Sequence, residues 1–545
     1  MHRRLRHSNR LFPKRIGPLA SNASKVFGSV PGVVSAVVFC LVVGVLASLN
    51  GVVPQVAFGQ EFLNPHDQIG LSQLQAELGR DAPTGEGVVV AMTEAAPNSG
   101  WYYIDTEDPL FAGKRFTNRS GENDSPNGHT ETVGAIFYGL EGVAPGVRDI
   151  DIYMATDWFD RVIMRSDENY KGEPLFERAQ VHNHSWVAYR AAAAEADSAT
   201  RVLRSHDYQV DRDKFVSVVT LQNGKLNDMP ELLAHAYNVI TVGTSDGDHS
   251  GGTTTFDAPG RVKPDIVAPN VFTSFAAPLV SGAAALLVET SASRPELIQA
   301  RRPQVIKALL MAGATKEEFP AWSRDWFRPL DPNVGVGELH VYNSHSILTN
   351  GPPRNGSTNL QAWDYDVVEG ADTRSYTLTV PAGYVLRDLS AVLTWHREFR
   401  DIDPGDTFEP EPIDADLDLR LRRVGVANPI DESLSRADNV EHIYQKYLGP
   451  GTYTLDISAD VHRSFGIAWR STLEPQAKII GTELSPAGVL VHARGTAGRT
   501  YRLETSNDLL SWRPLGQVFF NSEETTIPID DSNAFEVCRL VPVEE

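Results

Sequence analysis

The sequence predicts a doubly wound, mostly parallel α/β sheet followed by an antiparallel β-sandwich and a small C-terminal β domain. Three observations carry that reading. Up to residue 348, β-like runs (87–92, 215–220, 239–243) alternate with helix-like stretches rich in Ala and Leu, the rhythm of a parallel sheet covered by helices. A breaker cluster, Thr349-Asn-Gly-Pro-Pro-Arg-Asn-Gly-Ser-Thr358, then interrupts the chain and reads as a linker. Beyond it come only short alternating runs, first at 376–380, 389–395 and 453–457, then at 488–493, 500–505 and 525–529. Such alternation suits antiparallel strands with one face in a core.

The chain begins with Arg3, Arg4, Arg6, Arg10, Lys14, Arg15 and Lys25, followed by an uncharged stretch at 26–60 whose centre, 33–47, is almost wholly apolar. A basic start, an apolar core and small residues at Ala57 and Gly59 describe a signal peptide cut ahead of Gln60. An uncleaved membrane anchor is the competing reading, and its basic flank would also leave the body outside. The expectation is therefore four segments: 1–59 an export signal or anchor, 60–348 the α/β domain, 359–472 the β-sandwich, and 475–545 a small β domain of unknown role. The protein is expected to be secreted or held in the cell envelope.

The 545 residues carry 49 Lys/Arg against 70 Asp/Glu. All of the basic excess lies at the start, which leaves residues 61–545 at a net −28. So acidic a body repels nucleic acid and anionic lipid, so no nucleic-acid partner is expected, and a membrane only through an uncleaved N-terminal segment. Cys40 and Cys538 are the only cysteines, which excludes a disulfide framework and a Cys-based zinc site.

Four separated segments of the first domain fit one pattern. Gly85-Glu-Gly-Val-Val-Val-Ala-Met-Thr-Glu94 is a strand ending in a carboxylate. Asn127-Gly-His129-Thr-Glu-Thr-Val-Gly-Ala135 sets a histidine before a small-residue helix. An apolar strand ends in Asn223-Gly224, and Val271-Phe-Thr-Ser274-Phe-Ala-Ala-Pro-Leu-Val-Ser-Gly282 sets a serine at the start of an apolar helix. In this order the segments resemble the subtilisin-like serine peptidases, with support from Gly142-Val-Ala-Pro145, His184-Ser-Trp186 and Arg261-Val-Lys-Pro-Asp-Ile-Val-Ala-Pro269. Asp438-Asn-Val-Glu441 and Gly449-Pro-Gly-Thr-Tyr-Thr-Leu455 resemble the jelly-roll that follows the peptidase domain in alkaline members of that family. The likeness spans about residues 75–470 and does not extend to the last block.

The resemblance implies a subtilisin-like fold and an exported serine endopeptidase acting on protein or peptide substrates through an acyl-enzyme. A serine hydroxyl is a weak nucleophile until an imidazole takes its proton. The resemblance assigns Ser274 as nucleophile, His129 as base and Glu94 as the acid that orients the imidazole. It makes Asn223 an oxyanion donor beside the backbone N–H of Ser274, and sets Ser185 and Trp186 along the substrate cleft, where an extended peptide adds as a strand. A buried core Trp is the alternative for Trp186. No cofactor is required. The rival reading from another class is a catalytically inactive subtilase-fold protein that binds peptides or sits at the cell surface.

The chain departs from the family pattern at four points. Glu94 stands where the family has Asp, Phe272 where it has Gly, and Thr130 where a Gly follows the histidine; Pro269 and Ser274 are five residues apart where the family inserts a long hairpin. Phe272 is expected to restrict a backbone that ordinarily needs glycine's freedom. The two dozen residues between Gln60 and Gly85 are too few for the family's inhibitory pro-domain.

Other motifs receive plainer readings. His182 and His184 alternate on one strand face, and core packing is favoured over a metal site, the basis of a third, metal-hydrolase alternative. Asp414, Asp416 and Asp418 alternate with apolar residues; solvated decoration is favoured over a structural Ca²⁺ site, which stays unassigned. The run Ala191-Ala-Ala-Ala-Glu-Ala196 reads as a plain helix, and Trp512 as a core residue rather than part of a surface-binding module.

Overall fold

The computed structural model describes residues 64–96, 100–121, 124–169, 171–189, 196–404, 407–485, 488–507, 510–529 and 537–543. The export segment and most of the Ala191–Ala196 run lie outside them. Seven strands form one sheet: β1 (Val89–Glu94), β2 (Arg115–Asn118), β3 (Asp149–Met154), β4 (Val181–His184), β5 (Val216–Thr220), β6 (Val239–Thr244) and β7 (Ile266–Ala268). Their order is β2-β3-β1-β4-β5-β6-β7, and every neighbouring pair runs parallel. All residues of β5 and β6 are buried, because helices cover both faces; that is why these strands read as unbroken Val/Ile-rich runs. The strand order reverses at β1. Crevices for ligands form outside the carboxyl ends of strands at such a switch point, and Glu94 is the last residue of β1.

Two helices bring the remaining candidates to that end of the sheet. Helix α1 (Gly128–Tyr138) starts at Asn127, whose side chain accepts the His129 N–H at 2.8 Å, a standard N-cap. Helix α2 (Ala196–Asp213) flanks the sheet. Helix α3 (Thr273–Ser293) is apolar all round and almost wholly buried, as expected of a helix through a core.

Beyond the breaker cluster two four-stranded antiparallel sheets face each other. One runs Gln361–Val368, Arg463–Pro475, Tyr384–Trp395, Val440–Leu448; the other Thr373–Val380, Gly451–Ala459, Leu417–Arg423, Asp431–Ser433. Their inner faces bury Leu389, Leu455, Phe465 and Trp469. The outer face of the first sheet packs on helix α4 (Pro303–Gly313), and its Trp363, Val392, Val440 and Ala468 belong to the same core as the parallel sheet. Gly466 makes this approach: a β-carbon there would lie 2.8 Å from the Val305 backbone nitrogen. The last strands, Lys478–Ser485 to Val537–Pro542, form two three-stranded sheets around a small core of Val491, Tyr501, Leu503 and Phe520. Trp512 is only half-buried, with the Arg539 guanidinium 4.0 Å from its ring centre. It therefore lies at the margin of this module rather than in its core.

Candidate active site

Glu94 is 1% exposed, and its Oε2 lies 2.8 Å from His129 Nδ1. The extra methylene, relative to Asp, thus still reaches the imidazole. Donation from Nδ1–H to the carboxylate leaves Nε2 as the ring's basic nitrogen. Burial opposes the imidazolium, but the charge and hydrogen bond of Glu94 outweigh it and raise His129 above its ordinary value. Burial also raises Glu94, against the pull of His129. The other carboxylate oxygen, Oε1, is buried without a hydrogen-bond partner among the described residues.

Ser274 is the second residue of α3. Phe272, at the N-cap, has φ −132° and ψ 139°, extended backbone open to any residue, so the expected strain from replacing glycine is absent. Phe272 stands partly exposed against Phe275, ring centres 5.6 Å apart, and Phe275 faces His129 at 5.5 Å. These contacts bring the start of α3 alongside the imidazole. Among the described residues, however, no hydrogen bond joins the Ser274 hydroxyl to His129.

Asn223 caps α3 from another segment. Its Oδ1 accepts from the Thr273 N–H at 2.8 Å and the Thr273 hydroxyl at 2.9 Å. Gly224, at φ +86°, turns the chain after it; a side chain would be strained there. With Oδ1 engaged by the first residue of α3, Asn223 is held at a helix N-terminus that favours negative charge, and its Nδ2 remains a donor.

Residues 114–326 match the model of the subtilase family. That stretch is similar to a subtilase domain. The matched stretch contains His129, Asn223 and Ser274 and begins after Glu94. No curated protein sequence matches the chain. Among solved structures it is similar to fervidolysin from Fervidobacterium pennivorans, a keratinolytic enzyme related to subtilisin (15% identity, 84% of this chain and 68% of that one, TM-score 0.33). It is also similar to a protease from Pseudoalteromonas arctica (16%, 50% and 94%, 0.32) and to Pseudomonas sedolisin, a serine-carboxyl proteinase (14%, 50% and 95%, 0.33).

Within the matched stretch, the two residues expected along the cleft have buried side chains. Trp186 is 4% exposed and packs against Trp158 and His184, its indole N–H reaching His184 Nδ1 at 3.3 Å. It is a core residue, because its apolar surface is covered from both sides. The Ser185 hydroxyl is also buried and donates to the Ser274 carbonyl at 2.8 Å. Both side chains are held in the interior, which for Trp186 is the core alternative.

His182 and His184 share one strand face, with ring centres 4.1 Å apart. His182 Nε2 meets the Thr93 hydroxyl at 2.7 Å, and its Nδ1 lies 3.4 Å from Glu177. His206 joins the cluster 5.4 Å from His184. Burial, then His182, pushes His184 well down and His206 down to about 3, so both are neutral. Among the described residues no group of three or more His, Cys, Asp or Glu is arranged to hold a metal ion. Asp414 and Asp418 instead engage Arg397 and Arg420, at 3.0 and 2.9 Å. Burial, then Asp418 and Asp460, lifts Asp416 to about 6.

Sequence reasoning missed Asn183 and Ser281. Ser281 lies in a motif already quoted and Asn183 just before another, but their polar side chains meet only across the sheet–helix interface, with Ser281 Oγ donating to Asn183 Oδ1 at 2.8 Å.

Proposed function

We propose that the protein is an exported serine endopeptidase that cleaves protein or peptide substrates through an acyl-enzyme on Ser274. The Ser274 oxygen attacks the scissile carbonyl carbon while its proton passes to His129 Nε2. The carbonyl oxygen, now an oxyanion, accepts from the Ser274 N–H and from Asn223 Nδ2. Collapse breaks the C–N bond, and His129 returns the proton to the leaving amine; water, activated by the same imidazole, then releases the acyl group. Glu94 fixes the tautomer and stabilises the imidazolium. The observation that carries the reading is the 2.8 Å Glu94–His129 pair at the switch-point end of the sheet, beside a helix whose first turn bears Ser274. Export is supported by the basic and then apolar N-terminal stretch.

The missing Ser274–His129 hydrogen bond favours a second reading, a peptide-binding protein that keeps the cleft without the reaction. Catalytic hydrogen bonds are often long in unliganded enzymes and tighten in the complex, which is why the peptidase reading is preferred. A fluorophosphonate probe separates the two. It should label Ser274 in the folded protein, and Ser274→Ala and His129→Ala should each abolish labelling and peptide hydrolysis, the loss in turnover being roughly 10⁶-fold for such a unit. Folded protein that takes up no label supports the binding role.

A further inference from the structure

Pro278 lies four residues after Ser274 inside α3. An α-helix would use the N–H of residue 278 to satisfy the carbonyl of residue 274, and proline has none. That carbonyl belongs to the candidate nucleophile. It accepts instead from the Ser185 hydroxyl at 2.8 Å, and Ser185 Oγ in turn accepts from Asn183 Nδ2 at 2.9 Å. Asn183 Oδ1 then accepts from Ser281 Oγ at 2.8 Å. Ser274 and Ser281 are seven residues apart, two turns along one helix face, so the network grips α3 at two heights.

The grip comes from the strand that sits beside the acid. β4 pairs with β1 so that Thr93 lies opposite His184, one residue short of Glu94 and of Ser185. The acid and the serine anchor therefore leave neighbouring strand ends at the same level. Ser185, Asn183 and Ser281 are all buried, in surroundings where hydrogen bonds hold geometry firmly.

We propose that Ser185 is a positioning residue for Ser274: its hydroxyl replaces the backbone donor that Pro278 lacks and, through Asn183 and Ser281, fixes the rotation and height of α3 relative to Glu94. The proposal rests on the peptidase reading. A nucleophile displaced by about 1 Å loses on the order of 10²-fold in rate, whereas the cleft that binds substrate is left in place.

The test uses the full chain, a fluorophosphonate probe and a peptide substrate. Ser185→Ala should fall at least about tenfold in labelling rate and in kcat, with KM unchanged. Adding Pro278→Ala restores an N–H to the helix, and the double variant should label faster than Ser185→Ala alone. Parental rates in Ser185→Ala, or a double variant no faster than the single one, overturn the proposal. Should Ser185→Ala fail to fold, Ser185→Cys supplies a weaker donor of similar shape; a reduced rate supports the role and a parental rate overturns it. No labelling of the parent protein overturns the peptidase reading itself, and the positioning role with it.

Discussion

On one side of the candidate site a buried acid and an imidazole meet at 2.8 Å. On the other, the Ser274 hydroxyl has no hydrogen bond to that imidazole, yet its backbone neighbourhood is pinned by Ser185, by Asn223 and by the Thr273–Leu221 contact at 2.6 Å. The acid–base half depends on charge held in a dry place. The nucleophile half depends on where a helix begins. Substitutions in the first should therefore move pH behaviour, and substitutions in the second should change rate at constant pH profile.

Glu94→Gln should produce the larger of these losses, about 10⁴-fold in kcat as the imidazole loses its tautomer control; steady-state hydrolysis of a peptide measures it. Next comes Asn223→Ala, about 10²–10³-fold through the lost oxyanion donor, with KM little changed. A drop of only a few-fold would remove Asn223 from the oxyanion site.

The pH profile sharpens the contrast further. The base must be neutral, and His129 is raised above 6.5 by Glu94, so labelling should climb with pH through an apparent pKa above 6.5. Removing the negative charge in Glu94→Gln lowers the imidazole pKa, so the residual climb should move to lower pH. In Asn223→Ala it should stay where it was. Labelling rates measured across pH 5–9 check both.

The smallest effect concerns the folded state rather than the chemistry. His184 and His206 are neutral in the core, with His206 pushed down to about 3. Between about 6.5 and 3 the unfolded chain binds protons that the folded one does not, so stability falls as pH drops through that window. Thermal midpoints should decline below pH 6.5, and less steeply in His206→Gln.

Much of this was legible in the chain because it is local. Valine-rich runs announced the buried parallel strands, and the order Glu94, His129, Asn223, Ser274 announced which loops gather at one sheet end. What escaped depended on the partner a residue finds. The sequence left Trp186 between a cleft and a core reading, and only the fold shows Trp158 and His184 covering it and a helix carbonyl taking the Ser185 hydroxyl. Phe272 looked strained only because its φ was unknown. Pro278 was in plain sight, but its effect on the Ser274 carbonyl appears only once β4 lies beside α3.

The contact of Gly466 with the backbone of α4 has a wider meaning. Where a strand rests directly on a helix of its neighbour, the two share an interior, and severing the chain at 349–358 would tear away a wall rather than release a free-standing module. The sandwich is thus part of the housing in which the sheet keeps its shape, and the tether that looks like a hinge in the sequence joins two portions of a single body.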